Sequence, residues 1–395
     1  MNRPPLRILM ISATFPPDVC GVGDYTAQLE RALRHLGVHV DVVASNRANS
    51  GNPPERQPIS SLFRRMEKWN VRAVVGLLKT VRKNGYNYIH IQYTPNFYGP
   101  LSFAVNLIPW LLLGSRCRTA VTFHEIYAPK LGGYKNRLLA FYDHFKDTML
   151  LMGSSVSILT VPDRVARLGR RFPWLRSRLH AIPVGTGVRV VPMTIEERNA
   201  ERARLGIGAD DFLLGSFGTM HVDRHYDTLF RTLHRMIDRH PRLRFAIIGA
   251  YREEHPYYRF LKKWIADLRL DPYIVWTGYG NEEAVSRWLS LLDLYVMTDV
   301  RGASGRKSSL IAALGHGLPI VSTRGRDTPP DFIDGENMAL VEVDDEQALS
   351  DRIERLVQDT TERNRLRAGA SDLFSSCFAW ESIAQETIEV YGFRV

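Results

Sequence analysis

Short apolar runs of strand length alternate with longer amphipathic segments along nearly all of this 395-residue chain, and no other feature restricts its fold as much. Strand-like runs stand at residues 7–12, 38–44, 88–92, 119–122, 158–160 and 179–182, with helical patterns at 23–36 and 62–83. A second series follows, with strands at 212–217, 244–248, 274–277, 294–297 and 320–323 and helices at 226–240, 257–268, 282–291 and 346–358. Strands separated by helices pair in parallel, because the chain must cross back over the sheet before the next strand begins. Two doubly wound α/β domains are expected, with ligands bound beyond the carboxyl ends of their strands. Between the two series Pro183, Gly185, Gly187 and Pro192 interrupt all periodicity and mark the linker.

The stretch from Asp299 to Pro319 leaves an apolar strand, passes Gly302, Ser304 and Gly305, and enters a helical segment at Arg306, Lys307, Ser308 and Ser309. Helix N-termini gather unsatisfied N–H donors and partial positive charge, and a glycine loop lets a phosphate approach closely. The stretch reads as a nucleotide phosphate site, or as a plain connection whose glycines turn the chain and whose cations are solvated. Other strand ends carry further candidates. Thr122-Phe123-His124-Glu125 offers a neutral imidazole for a substrate hydroxyl, or a histidine satisfied by backbone. Gly218, His221 and Arg224 follow another strand; fixed cations there suit an anion, and solvated loop residues are the alternative. Gly278 leaves backbone groups bare at a strand end, while Tyr279 either stacks on a ligand or fills the core. Gly21 and Gly23 follow the first strand, but Thr26 stands where a dinucleotide fingerprint needs its third glycine.

Charge narrows the partners. With 52 basic and 42 acidic residues the chain carries a net charge of +10, which favours anionic ligands. The basic residues are spread along the chain without a nucleic-acid module, so nucleic acid is not expected as a partner. Three distant cysteines, Cys20, Cys117 and Cys377, have neither disulfide nor zinc spacing, and a reducing cytoplasm is expected. Residues 62–83 place Leu62, Met66, Trp69, Ala73, Leu77 and Val81 on one helical face with a basic rim; such a helix packs on a sheet or lies on an anionic bilayer. The apolar run 101–113 is too short to span a membrane.

Together these stretches resemble the retaining glycosyltransferases of family four, the group 1 glycosyltransferases, over nearly the full length. That family carries Glu-Gly-Phe-Gly, four further residues, Glu-Ala, and then Gly-Leu-Pro. Here the first glycine falls on Gly305 and the last triplet on Gly317 to Pro319, whereas Ser304 and Ala312 occupy the places of both glutamates. The resemblance implies the GT-B architecture: two Rossmann-like doubly wound parallel-sheet domains facing a cleft, with a C-terminal helix crossing back to the first. It sets residues 1–187 as the acceptor domain, 188–376 as the nucleotide-sugar domain and 377–395 as the returning helix. It implies catalytic roles for His124, Arg224 and Lys307. Donor contacts would come from Gly21, Gly23, Gly218, His221, Gly278, Tyr279, Ser304, Gly305, Arg306, Ser308 and Ser309. No metal or other cofactor is expected beside the nucleotide-sugar co-substrate, and the acceptor would be a sugar, glycan or lipid-linked molecule. A cytoplasmic protein docked on the inner membrane face fits this picture. The loss of both glutamates leaves a second reading, a catalytically silent GT-B scaffold that binds a sugar nucleotide or glycan.

Overall fold

The computed structural model describes residues 6–16, 18, 20–45, 64–66, 68–99, 102–127, 134–251 and 253–393. The chain forms two compact units, Met1–Val184 with Trp380–Val395, and Gly185–Ala379.

In the first unit the elements run β1 (Arg7–Ser12), α1 (Gly21–His35), β2 (His39–Ser45), β3 (Arg64–Met66), α2 (Val71–Asn84), β4 (Tyr88–Tyr93), α3 (Ile108–Leu111), β5 (Arg118–Phe123), α4 (Tyr134–Gly153), β6 (Val156–Leu159), α5 (Pro162–Arg171) and β7 (Leu179–Ala181). All seven strands are parallel, in the order β3-β2-β1-β4-β5-β6-β7. Both faces of the sheet are covered, which is why β4 is buried at every position rather than at alternate ones. Helices α2, α3 and α4 pack on one face through Leu77, Val81, Ile108, Leu150 and Leu151. On the other face α1 meets the sheet through Tyr25, Leu29 and Leu33.

The second unit runs α6 (Ile195–Arg204), β8 (Phe212–Phe217), α7 (Tyr226–Met236), β9 (Leu243–Ile248), α8 (Pro256–Asp267), β10 (Ile274–Gly278), α9 (Glu282–Leu291), β11 (Leu294–Met297), α10 (Ser308–Gly315), β12 (Ile320–Arg324), β13 (Ala339–Glu342), α11 (Glu346–Gln358) and α12 (Thr360–Leu373). Its six-stranded sheet has the order β10-β9-β8-β11-β12-β13, again wholly parallel. The order reverses beside β8, so the loops after β8 and β11 open at the switch point where such sheets bind ligands.

The last helix, α13 (Trp380–Val390), belongs to the first unit. Ile383, Ala384 and Ile388 share the core of α1, and Tyr391 stacks on Tyr88 with ring centroids 4.3 Å apart. The Tyr88 hydroxyl donates to the Tyr391 carbonyl at 3.0 Å.

One expected helix is divided. Within 62–83, residues Arg64–Met66 form β3, and α2 begins only at Val71, because the Asn70 side chain caps it by accepting from the Ala73 N–H at 2.9 Å. Leu62 lies outside the described residues. Trp69 is buried; its indole N–H donates to Ser45 Oγ at 2.7 Å and its ring meets Tyr98 edge-on. Leu77 and Val81 are core residues too. Trp69, Leu77 and Val81 of the apolar stripe expected at a bilayer are consumed by the parent sheet, while Lys68, Arg72, Lys79, Arg82 and Lys83 stay outside.

Candidate functional site

In the first unit the carboxyl ends of β4 and β5 hold a buried polar chain that ends at His124. His124 follows β5 directly and its backbone N–H donates to the Tyr93 carbonyl at 3.0 Å. Its Nε2 lies 2.9 Å from Gln92 Oε1, and its ring meets Tyr25 edge-on at 4.8 Å. Gln92 Nε2 faces His90 Nε2 at 3.4 Å, Thr122 Oγ1 lies 2.8 Å from the same nitrogen, and His90 Nδ1 lies 2.7 Å from the Tyr391 hydroxyl. Burial holds the imidazole of His90 down to about pKa 3 and that of His124 down to about 4, so both rings are neutral at pH 7.

Neutral rings give the chain a direction. The Gln92 amide nitrogen can only donate, so His90 accepts at Nε2 and carries its proton on Nδ1, toward Tyr391. The amide oxygen of Gln92 can only accept, so His124 carries its proton on Nε2 and keeps the Nδ1 lone pair as a hydrogen-bond acceptor. The nitrogen-15 spectrum of imidazole-labelled protein is expected to show His124 as the Nε2–H tautomer at pH 7. Gln92→Leu should abolish that preference, and an Nδ1–H signal in the wild type would reverse the whole chain.

The glycines after β1 are not in an open loop. Gly21 opens α1 and Gly23 lies in its first turn, where a Cβ would come 3.2 Å from the Thr14 and Phe15 backbone. Gly23 thus lets α1 pack closely under the end of β1, a reason the strand–loop–helix pattern alone did not give. Glu125 is exposed, and the partner that orients His124 is Gln92.

In the second unit Arg224 is the organising side chain. It donates from Nη1 to the Phe217 carbonyl at 3.3 Å and from Nη2 to Ser309 Oγ at 2.8 Å, so it lies over the first turn of α10. Gly218 has φ +120°, and a Cβ there would meet Arg224 Nη2 at 2.9 Å and Ser309 Cβ at 3.4 Å. Only glycine lets these three meet. Gly249, after β9, has φ +137°, and a Cβ there would fall 2.8 Å from the Gly218 carbonyl; it pairs in turn with Gly278, φ +71°. A ledge of bare backbone therefore runs along the ends of β8, β9 and β10. Gly249 was missed from sequence, although a glycine directly after a buried strand was the available signal.

Around this ledge the remaining candidates divide. Ser308 and Ser309 contribute first-turn N–H groups of α10, which have no intrahelical acceptor. Gly305 and Arg306 are partly buried beside them. Lys307 is not a free cation: its ammonium forms an ion pair with Asp299, whose side chain is fully buried. Nothing in the glycine pattern revealed Asp299, eight residues earlier. His221 is exposed and turned to its own loop, where Nδ1 accepts from the Asp223 N–H at 3.2 Å. Tyr279 is 83% exposed, which removes the core alternative. Ser304 is buried and accepts from the Arg306 N–H at 3.4 Å, and Ala312 is wholly buried in the core; neither offers a carboxylate. Among the described residues no group of His, Cys, Asp or Glu is placed to hold a metal ion.

Comparison with known proteins agrees with the fold. Residues 19–188 match the model of "Glycosyltransferase Family 4" and residues 211–359 that of "Glycosyl transferases group 1". A D-inositol 3-phosphate glycosyltransferase of Nocardioides sp. is 26% identical over 209 residues, half of this chain and 44% of that protein. Spore coat protein SA of Bacillus subtilis is 23% identical over 61% of this chain and 66% of its own length. The chain thus aligns with less than two thirds of either curated relative. Among solved structures, Anabaena Alr3699/HepE in complex with UDP and glucose superposes over 98% of this chain and 99% of its own, with TM-score 0.71 and 16% identity. Sucrose-phosphate synthase of Thermosynechococcus elongatus gives TM-score 0.68 at 19% identity over 98% of each chain. At such identities the likeness is one of fold, the GT-B fold.

Proposed function

We propose that this chain, which belongs to the group 1 glycosyltransferases, moves a sugar from a nucleotide-diphosphate donor to a hydroxyl of a sugar, glycan or lipid-linked acceptor, with retention at the anomeric carbon. The observation that carries this reading is the meeting of Arg224 and Gly218 with the first turn of α10. When the glycosidic bond to phosphate breaks, negative charge grows on the leaving diphosphate. A fixed guanidinium and oriented N–H groups already in place stabilise that charge without further reorganisation. Arg306 adds a second cation, and the reaction is proposed to run on these groups without a metal ion. The bare backbone at Gly278 receives the base, with Tyr279 closing over it. His124, an acceptor at Nδ1, is suited to a hydrogen bond from a sugar hydroxyl.

A second reading keeps donor binding but not transfer. It is favoured by the buried Ser304 and Ala312 in place of two carboxylates and by the neutralised Lys307. Thermal-shift screening of nucleotide sugars, followed by assay of released nucleoside diphosphate, separates the two. A transferase raises its melting temperature with one nucleotide class and releases that diphosphate; His124→Ala should keep the shift but lose at least about tenfold in turnover, an effect on the transition state. A shift without release supports the silent binder. No shift with any nucleotide sugar defeats both.

A further inference from the structure

We propose that the outer side of α2, α3 and α4 is a docking surface for an anionic lipid bilayer. This surface is separate from the donor site. These three helices pack on the same face of the first unit's sheet, so their outward sides look the same way. They are also joined at the surface: Arg82 of α2 donates to the Leu111 carbonyl of α3 at 3.1 Å, and the Trp110 indole N–H to the Met149 carbonyl of α4 at 3.0 Å.

On α4 the outward stripe is apolar. Leu138, Phe141 and Phe145, spaced three and four residues apart, are 60%, 73% and 58% exposed. Trp110, Leu111 and Leu113 continue it across α3 and the turn that follows. Isolated apolar residues on a surface need no explanation, but a joined row of large ones marks a contact. Flanking it, α2 turns Arg72, Lys79 and Arg82 outward around Val75. Among the described residues from 68 to 153, eight Lys and Arg are exposed against a single exposed acid, Glu125.

That charge selects the occupant. A second copy of this chain would bring the same basic flank against itself, in a protein already at net charge +10. An anionic bilayer instead meets both features, cations at the headgroups and Leu, Phe and Trp side chains beneath them. Among the described residues no helix is long and apolar enough to cross a membrane, so the contact is with the surface. α4 is 20 residues long and lies flat along it.

The test is sedimentation of the full chain with vesicles of phosphatidylcholine alone and of phosphatidylcholine mixed with phosphatidylglycerol. Binding to the mixed vesicles is expected, at least tenfold stronger than to the neutral ones, and weakened by salt. Phe141→Asp with Phe145→Asp should reduce partition at least tenfold without lowering the melting temperature, because both side chains are exposed. Should that variant misfold, a second readout remains: brominated acyl chains should quench wild-type tryptophan emission, and less so in Trp110→Phe. Equal binding to neutral vesicles, no binding, or no effect of the substitutions overturns the proposal. So does a dimer in light scattering that the Phe variant dissociates while vesicles are ignored.

Discussion

Arg224→Ala is expected to weaken nucleoside-diphosphate binding by roughly ten- to a hundredfold while leaving the fold intact. A charge-assisted hydrogen bond to a phosphate is worth about 1.5–3 kcal/mol, and each 1.4 kcal/mol is about a decade in affinity. The guanidinium is already oriented by the Phe217 carbonyl and Ser309 Oγ, so little freedom is lost when the ligand arrives. Calorimetry with UDP, GDP and ADP, taking whichever binds the wild type, measures the change. Affinity unchanged within twofold would move the diphosphate away from α10. Lys307→Ala is expected to act differently. It strands Asp299, a buried carboxylate, and should therefore lower stability as well as affinity.

Stability is expected to fall steeply as the pH drops from about 6.5 toward 4, by several kcal/mol, through His90 and His124. His90 has an ordinary value of 6.5 and is held near 3 by burial. Between those values the unfolded chain binds a proton that the folded chain refuses, so stability is lost as the pH falls through 6.5. His124, held near 4, adds loss of the same sign. Asp147 opposes them: burial raises its carboxyl from 3.8 to about 6, so the folded chain binds the extra proton and gains stability as the pH falls through 6. Each pKa unit is worth about 1.4 kcal/mol, and the two histidines together outweigh Asp147. Denaturant midpoints from pH 7.5 to 4.5 should show the decline, and His90→Asn should flatten it. A flat wild-type profile would mean that His90 takes up its proton in the folded state. The acid limb should also expose the joint between α13 and the sheet, since the Tyr391 hydroxyl rests on His90.

The two parallel sheets were legible in the sequence because their cause is local. Fully apolar runs such as 8–11 and 294–297 announce strands covered on both faces, and the helical periods between them enforce parallel pairing. The loop before α10 was legible for the same reason, since glycines and a helix start lie within a few adjacent residues. α4 was not, because its apolar residues face outward as well as inward and leave no single stripe to read.

What the tertiary structure alone decided is which polar groups meet. Arg306 and Lys307 are equivalent in sequence, yet Lys307 alone reaches the buried Asp299 and pairs its charge there. Tyr391 lies about 300 residues from His90 but meets the ring nitrogen that holds the proton. Trp69 sat on a stripe that suited a membrane, but Ser45 and Tyr98, brought opposite by the fold, hold its indole inside. Periodicity along a chain records only that a face is apolar. Whether sheet, lipid or water covers that face, and whether a cation stays free, depends on side chains brought opposite from elsewhere in the sequence.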